Sequence, residues 1–233
     1  MKNFIYLLII ISTISCSKSS ETTEPDPEIN PFEECSNILP NCNYVDGSFE
    51  GEFCLFGYKW GNGNNFTNTG ADVEGPRIGG GIVTYSLQEL PNFVSNHREL
   101  DIPTQSFSEL PDCAKEVIRE SFNDYSNVAN IQFEELPEDS DSDIKIMVAD
   151  VITCGNGMPN YSTLPCQELA GQITLDPNFT SDCILFRAYF LHELGHALGL
   201  GHSSRENLMG SITRNPSGLK EGDIKGIQEI YGE

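Results

Sequence analysis

"HELGHALGLGH", residues 192–202, sets three histidines and one glutamate into a short stretch of a chain that holds four histidines in all. His192 and His196 stand four residues apart, so on an α-helix they lie about 6 Å along the axis and about 40° around it, on one side. Two imidazoles so placed can reach one metal ion. Gly199 can adopt a backbone conformation closed to other residues, which lets the chain turn sharply and return His202 as a third ligand from outside the helix. Three neutral imidazoles leave the fourth position of a tetrahedral zinc open for water, the arrangement of a catalytic rather than a structural site. Glu193, beside the first ligand, is then placed as the general base that takes the water's proton and passes it to a leaving amine. H-E-x-x-H alone arises by chance on ordinary helices. With Gly199 and His202 also fixed, chance agreement in a chain of this length falls to about one in 10^5 at average residue usage.

Working outward, Ser181 or Asp182 can cap a helix that runs to about Leu198, apolar on most sides and therefore buried, and stopped by Gly199 and Gly201. A second helix, starting at Ser108 or Asp112 and reaching about Tyr125, carries Ala114, Val117, Ile118, Phe122 and Tyr125 as one apolar stripe. Ile82 to Leu87, "IQFEEL" (131–136) and "IKIMVAD" (144–150) read as strands, and "NFVSNHRELDIPTQ" (92–105) as a loop containing a surface histidine, His97. "VITCGNGMPNYSTLPCQEL" (151–169) is irregular, whereas "AGQITLD" (170–176) alternates like a short edge strand. A last helix covers "LKEGDIKGIQEIYG" (219–232), with Leu219, Ile224, Ile227 and Ile230 on one side.

The motif "HELGHALGLGH" resembles the H-E-x-x-H-x-x-G-x-x-H signature of the metzincin zinc proteases. Ser203 follows the third histidine and "NLMG" places Met209 seven residues after His202, as the Met-turn stands in the matrixin branch, and the closing helix with Asp223 is similar to the matrixin C-terminal helix. The likeness covers about residues 80–233. It implies an α+β fold with a small mixed twisted sheet, a long active-site helix, a Met-turn and a C-terminal helix. It further implies one catalytic zinc on His192, His196 and His202, Glu193 as general base, Met209 as an apolar floor, and protein or peptide substrates that pair with the strand at 171–176. The stretch after the Met-turn, "SITRNPSG", is expected to wall the pocket for the side chain following the cleaved bond. Animal matrixins carry a histidine-rich loop for a structural zinc; this chain has no histidine there, so no second zinc is expected. Gly210 and Ser211 stand where an aromatic residue and a proline usually follow the methionine, and Ser211 excludes the tyrosine ligand of some other metzincins.

The N-terminus, "MKNFIYLLIIISTISCSKSS", has the layout of an export signal, its apolar run too short for the roughly 20 residues of a membrane span. Thr13 to Cys16 resembles a relaxed bacterial lipobox, which makes Cys16 the expected lipid-bearing residue and membrane anchor. The expected organisation is a signal over 1–16, a polar tether over 17–31, an extension and candidate propeptide over 32–78, and the catalytic domain over 79–233. An exported, outer-membrane or cell-surface lipoprotein, otherwise a secreted protein, and a monomer, is the expected form. Export implies disulfides. Cys113, Cys154, Cys166 and Cys183 can make two bridges, with Cys154–Cys166 the first choice, whereas Cys35, Cys42 and Cys54 leave one thiol over. That thiol is a candidate zymogen switch on the zinc, although "GPRIGGG" (75–81) lacks the cysteine of the matrixin switch.

A net charge of −22 offers no basic patch for a phosphate backbone and argues against nucleic acid as a partner. "DSDSD" (139–143) offers hard oxygens for calcium but lacks the spacing of a known loop, so a solvated turn is the expected role. A catalytically silent adhesin and a zinc amidase acting on cell-wall peptides are the rival functions. The intact Glu193 and ligands speak against the first, the Met-turn and final helix against the second.

Overall fold

The computed structural model describes residues 43–45, 48–50, 52–55, 58–60, 66–68, 82–95, 101–151, 160–162, 171–178, 182–210 and 218–233. Five short strands come first: β1 (Asn43–Val45) pairs with β2 (Ser48–Glu50), β3 (Cys54–Leu55) stands apart from both, and β4 (Tyr58–Trp60) pairs with β5 (Phe66–Asn68). The main sheet follows from β6 (Ile82–Leu87), β7 (Phe93–Ser95), β8 (Asp101–Gln105), β9 (Gln132–Glu135), β10 (Ile144–Ala149), β11 (Asn160–Ser162) and β12 (Gln172–Leu175). Its order is β11-β12-β10-β6-β9, with β6, β9, β10 and β12 parallel and β11 antiparallel. Among the described residues three α-helices complete it, α1 (Ala114–Ser126), α2 (Cys183–Ala197) and α3 (Glu221–Tyr231), with β13 (Leu200–Gly201) after α2. This is the α+β arrangement with a mixed sheet that the motif implied.

β10 explains the architecture. Its run IKIMVA buries apolar residues on both faces, with Lys145 partly exposed near its start: Ile144, Ile146 and Val148 enter the main core, and Met147 and Ala149 join Val94, Ile102 and Val151 in a smaller cluster. The antiparallel pair β7–β8, which occupies the stretch expected to be a loop, extends the sheet there: β8 pairs antiparallel with β10, Gln105 with Val148 and Thr104 with Ala149, and sets Val94 and Ile102 beside Met147 and Ala149. Pro103 in β8 masked the strand in the sequence, yet proline is tolerated where the ladder needs no donor from it. His97 lies outside the described residues.

On the other face, α1 presents the expected stripe. Phe122 stacks on Tyr85 of β6 at 3.8 Å and meets Phe133 at 4.9 Å and Phe190 of α2 at 6.0 Å, so one ring joins sheet, α1 and α2. Burying such a ring contributes about 2 kcal/mol. A disulfide, Cys113–Cys183, ties the start of α1 to the start of α2. The expected pair Cys154–Cys166 lies outside the described residues.

Candidate metal centre

α2 starts where expected: the Asp182 carboxylate accepts from the backbone N–H of Ile184 at 2.7 Å and of Leu185 at 3.1 Å. From Phe186 on, the helix sinks into the core, and His192, Glu193 and His196 are each less than 9% exposed. Gly199 ends it with φ +111°, a region that favours glycine, and β13 then leads straight into His202. The ligand nitrogens of His192, His196 and His202 all lie within 4.8 Å of one another.

The tautomers follow from what faces each ring. A carbonyl oxygen can only accept, so His192 Nδ1–H donates to Leu208 O at 2.9 Å and His196 Nδ1–H to Leu200 O at 2.8 Å. Each Nε2 is left with its lone pair for a metal. The Nε2 atoms of His196 and His202 stand 3.2 Å apart. Two nitrogens bound at about 2.05 Å to one tetrahedral zinc stand about 3.3 Å apart, so the residues fit that ion. Burial pushes all three imidazoles below their ordinary pKa, His196 furthest, with the neighbouring rings adding to it, and holds His202 at about 4. The histidines are therefore neutral at pH 7, the state a metal requires.

Beneath them lies Met209, 1% exposed. Its turn is clamped by Asp223 of α3, whose carboxylate accepts from Leu208 N at 2.8 Å, Met209 N at 3.0 Å and Lys220 N at 2.8 Å. Gly195, between the ligands, is a packing necessity: an added Cβ would stand 2.5 Å from Met209 Sδ and 2.7 Å from Tyr125 Oη. Tyr125 Oη in turn donates to Leu191 O at 3.0 Å, fixing α2 one residue before the first ligand.

Glu193 and the three histidines thus share one buried turn-and-helix unit, and Met209 underlies it. Cys16, Cys35, Cys42 and Ser211 lie outside the described residues. Cys54 is buried and disulfide-bonded, a form with no thiolate to offer a metal. The acidic turn gathers no calcium cage either. Asp139 Oδ1 accepts from Glu89 N and Leu90 N, Asp141 pairs with Lys145, and Asp143 Oδ2 accepts from Thr84 N and Oγ1. The three carboxylates point to three different places; among the described residues the histidines are the one metal-capable cluster.

Two readings change. The strand at 171–176 is not an edge: β12 lies between β10 and β11 and is buried throughout, the Gln172 amide donating to Thr174 Oγ1. Its polar residues mimicked a solvent face, and the edge is β11. Leu55 and Trp60, from the stretch read as an extension, pack into the main core. Sequence reasoning gave no role to Trp60, Tyr231 or Gly195; the chain's single tryptophan, in a loop-like stretch, was the available signal.

Residues 100–232 match the matrixin peptidase family model. The chain is 25% identical over 169 residues to Metalloendoproteinase 1 of Glycine max, covering 63% of this chain and 54% of that protein. It is 26% identical over 269 aligned positions to Matrix metalloproteinase-27 of Tupaia belangeri, covering 100% and 51%. With human Matrilysin it shares 47% identity over 47 residues, 18% of each chain. The chain therefore spans about half the length of the first two relatives. With its three convergent histidines, its methionine turn and a family match over most of the sheet and all three helices, the chain belongs to the matrixin family.

Proposed function

We propose that the chain is a zinc-dependent endopeptidase that hydrolyses peptide bonds in proteins, with Glu193 as general base. The observation that carries this is the convergence of His196 Nε2 and His202 Nε2 to 3.2 Å, with both helix histidines oriented by backbone carbonyls. A zinc ion held there supplies polarisation of the scissile carbonyl and a water whose pKa falls to about 7. Glu193, adjoining the first ligand on a buried helix turn, takes that water's proton and passes it to the leaving amine. β11, the end strand of the sheet among the described residues, lies against α2 and offers an extended substrate a strand to pair with.

The test is casein cleavage and zinc content for wild type and Glu193→Gln. Zinc bound stoichiometrically in both, with cleavage lowered about 10^2- to 10^4-fold in the variant, is the expected result. Zinc without cleavage in the wild type favours a binding role, and cleavage of peptidoglycan fragments in place of casein favours the amidase. No zinc at all sinks the proposal.

Anchoring through lipidated Cys16 on an exported protein is part of this reading. The disulfide Cys113–Cys183 supports an oxidising compartment. Fatty-acid labelling that Cys16→Ser abolishes is the expected outcome; equal labelling of both forms rules the anchor out.

A further inference from the structure

Residues 52–55 and Trp60 precede every strand of the main sheet, yet they are built into the wall behind the ligands. Cys54 and Leu55 pair antiparallel with Gly201 and Leu200, the two residues that lead into His202. Leu200 is also the residue whose carbonyl orients His196. Trp60, 4% exposed, donates its indole N–H to Ala197 O at 2.9 Å. Its backbone N–H donates to Tyr231 Oη at 3.3 Å, and that hydroxyl donates to Leu198 O at 2.9 Å. The last carbonyls of a helix have no partner within it. At the end of α2 an indole and a phenol fill that need, one from each side of the chain.

α3 is shaped to receive the same segment. A Cβ added at Gly222 would stand 2.1 Å from Glu52 O, and one at Gly226 would stand 2.9 Å from Phe53 Cβ and from Leu200 Cδ2. These two glycines, one helical turn apart, open a groove that residues 52 and 53 occupy. Lys225 pairs with Glu52 at its rim, and the Asn207 amide donates to Glu52 O. Asn207 sits in the turn between His202 and Met209, so the segment touches the third-ligand turn, the Met-turn approach and the C-terminal helix together.

We propose that residues 52–55 and Trp60 form a permanent strap of the metal site and that Trp60 is a positioning residue for His196 and His202; this rests on the zinc reading above. Without the strap, Ala197 O loses its donor and Leu200–Gly201 loses its strand partner. The turn after Gly199 then gains freedom, and the two nitrogens held 3.2 Å apart must be reassembled each time the metal binds.

The test measures zinc affinity of the full-length chain by competition with a chromophoric chelator, with the visible spectrum of the Co(II) form as a second readout. Trp60→Phe keeps an aromatic ring and removes only the N–H donor, so it tests the strap even if Trp60→Ala fails to fold. Ile102→Ala, equally buried in the cluster on the far face of the sheet, serves as the control for general destabilisation. Zinc binding weakened about tenfold in Trp60→Phe, and further in Trp60→Ala, with a shifted Co(II) band, is the expected result, as for other groups that orient ligands from behind. Ile102→Ala is expected to bind zinc as the wild type does. Unchanged affinity in both Trp60 variants overturns the proposal, and so does an equal loss in Ile102→Ala. A wild-type chain that takes up neither zinc nor cobalt overturns the zinc reading itself, and the strap proposal with it.

Discussion

Gly195 shows how tightly single residues are specified around the ligands. On helix propensity alone, Gly195→Ala gains about 1 kcal/mol. The new methyl group, however, enters the space of Met209 Sδ and Tyr125 Oη, both fully enclosed. Overpacking of this kind costs about 1–3 kcal/mol. The neighbours that must move are the floor beneath the ligands and the hydroxyl that fixes Leu191, so the displacement lands on the site itself. Gly195→Ala is expected to lower the melting temperature and to weaken zinc binding while leaving the secondary structure intact, read by thermal melts and chelator competition. A variant more stable than wild type, with unchanged zinc affinity, shows that Met209 yields freely and that the methionine floor does not set the ligand geometry.

Among the elements, α2 was legible in nearly every respect. Its cap, its buried character, its end at Gly199, its two histidines and the third that follows the turn come from spacing and backbone chemistry that act over a few residues. What sequence did not disclose depends on partners far away in the chain. β12 looks like an edge because Gln172 and Thr174 are polar, yet β11 pairs along Ile173 to Leu175 and both polar residues are buried. β7 and β8 are short and hold one deeply buried apolar residue each, Val94 and Ile102, too few to set up a period. The disulfide is a long-range partner of the same kind, closing a loop of sequence separation 70. A loop of that size stabilises by about 4 kcal/mol in the chain-entropy account. Replacing Cys113 and Cys183 together by serine is expected to lower the melting temperature by about 10 °C. The bridge lies at the opposite end of α2 from the ligand turn, about 13 Å along the axis from His192. Zinc affinity at 25 °C is therefore expected to stay as in the wild type, and a loss in proportion to the change in stability shows instead that the start of α2 governs its end.

At the scale of the whole molecule, the question is where the folded unit begins. The family match starts at residue 100 and the sequence alone suggests a boundary near Gly79, because the glycine-rich and polar stretch before β6 carries no periodicity. A cut there keeps every ligand, Glu193, Met209 and all three helices. It removes Leu55 and Trp60, which are 2% and 4% exposed within the main core. An indole of about 200 Å² at about 25 cal/mol per Å² contributes about 5 kcal/mol, and the leucine about 2 kcal/mol more. A domain of this size has a net stability of only about 5–15 kcal/mol. The cut also leaves the groove at Gly222 and Gly226 empty and the end of α2 without its indole donor. A chain beginning at Phe32 is therefore expected to melt like the full-length protein, and one beginning at Gly79 to be largely unfolded or to melt tens of degrees lower, by circular dichroism with zinc present. If the short chain melts within a few degrees of the long one and binds zinc equally, residues 52–55 and Trp60 contribute nothing to the folded unit and the domain begins at β6. If it does not, the folded unit begins before Glu52, and any cut that keeps the domain folded must fall upstream of the strap.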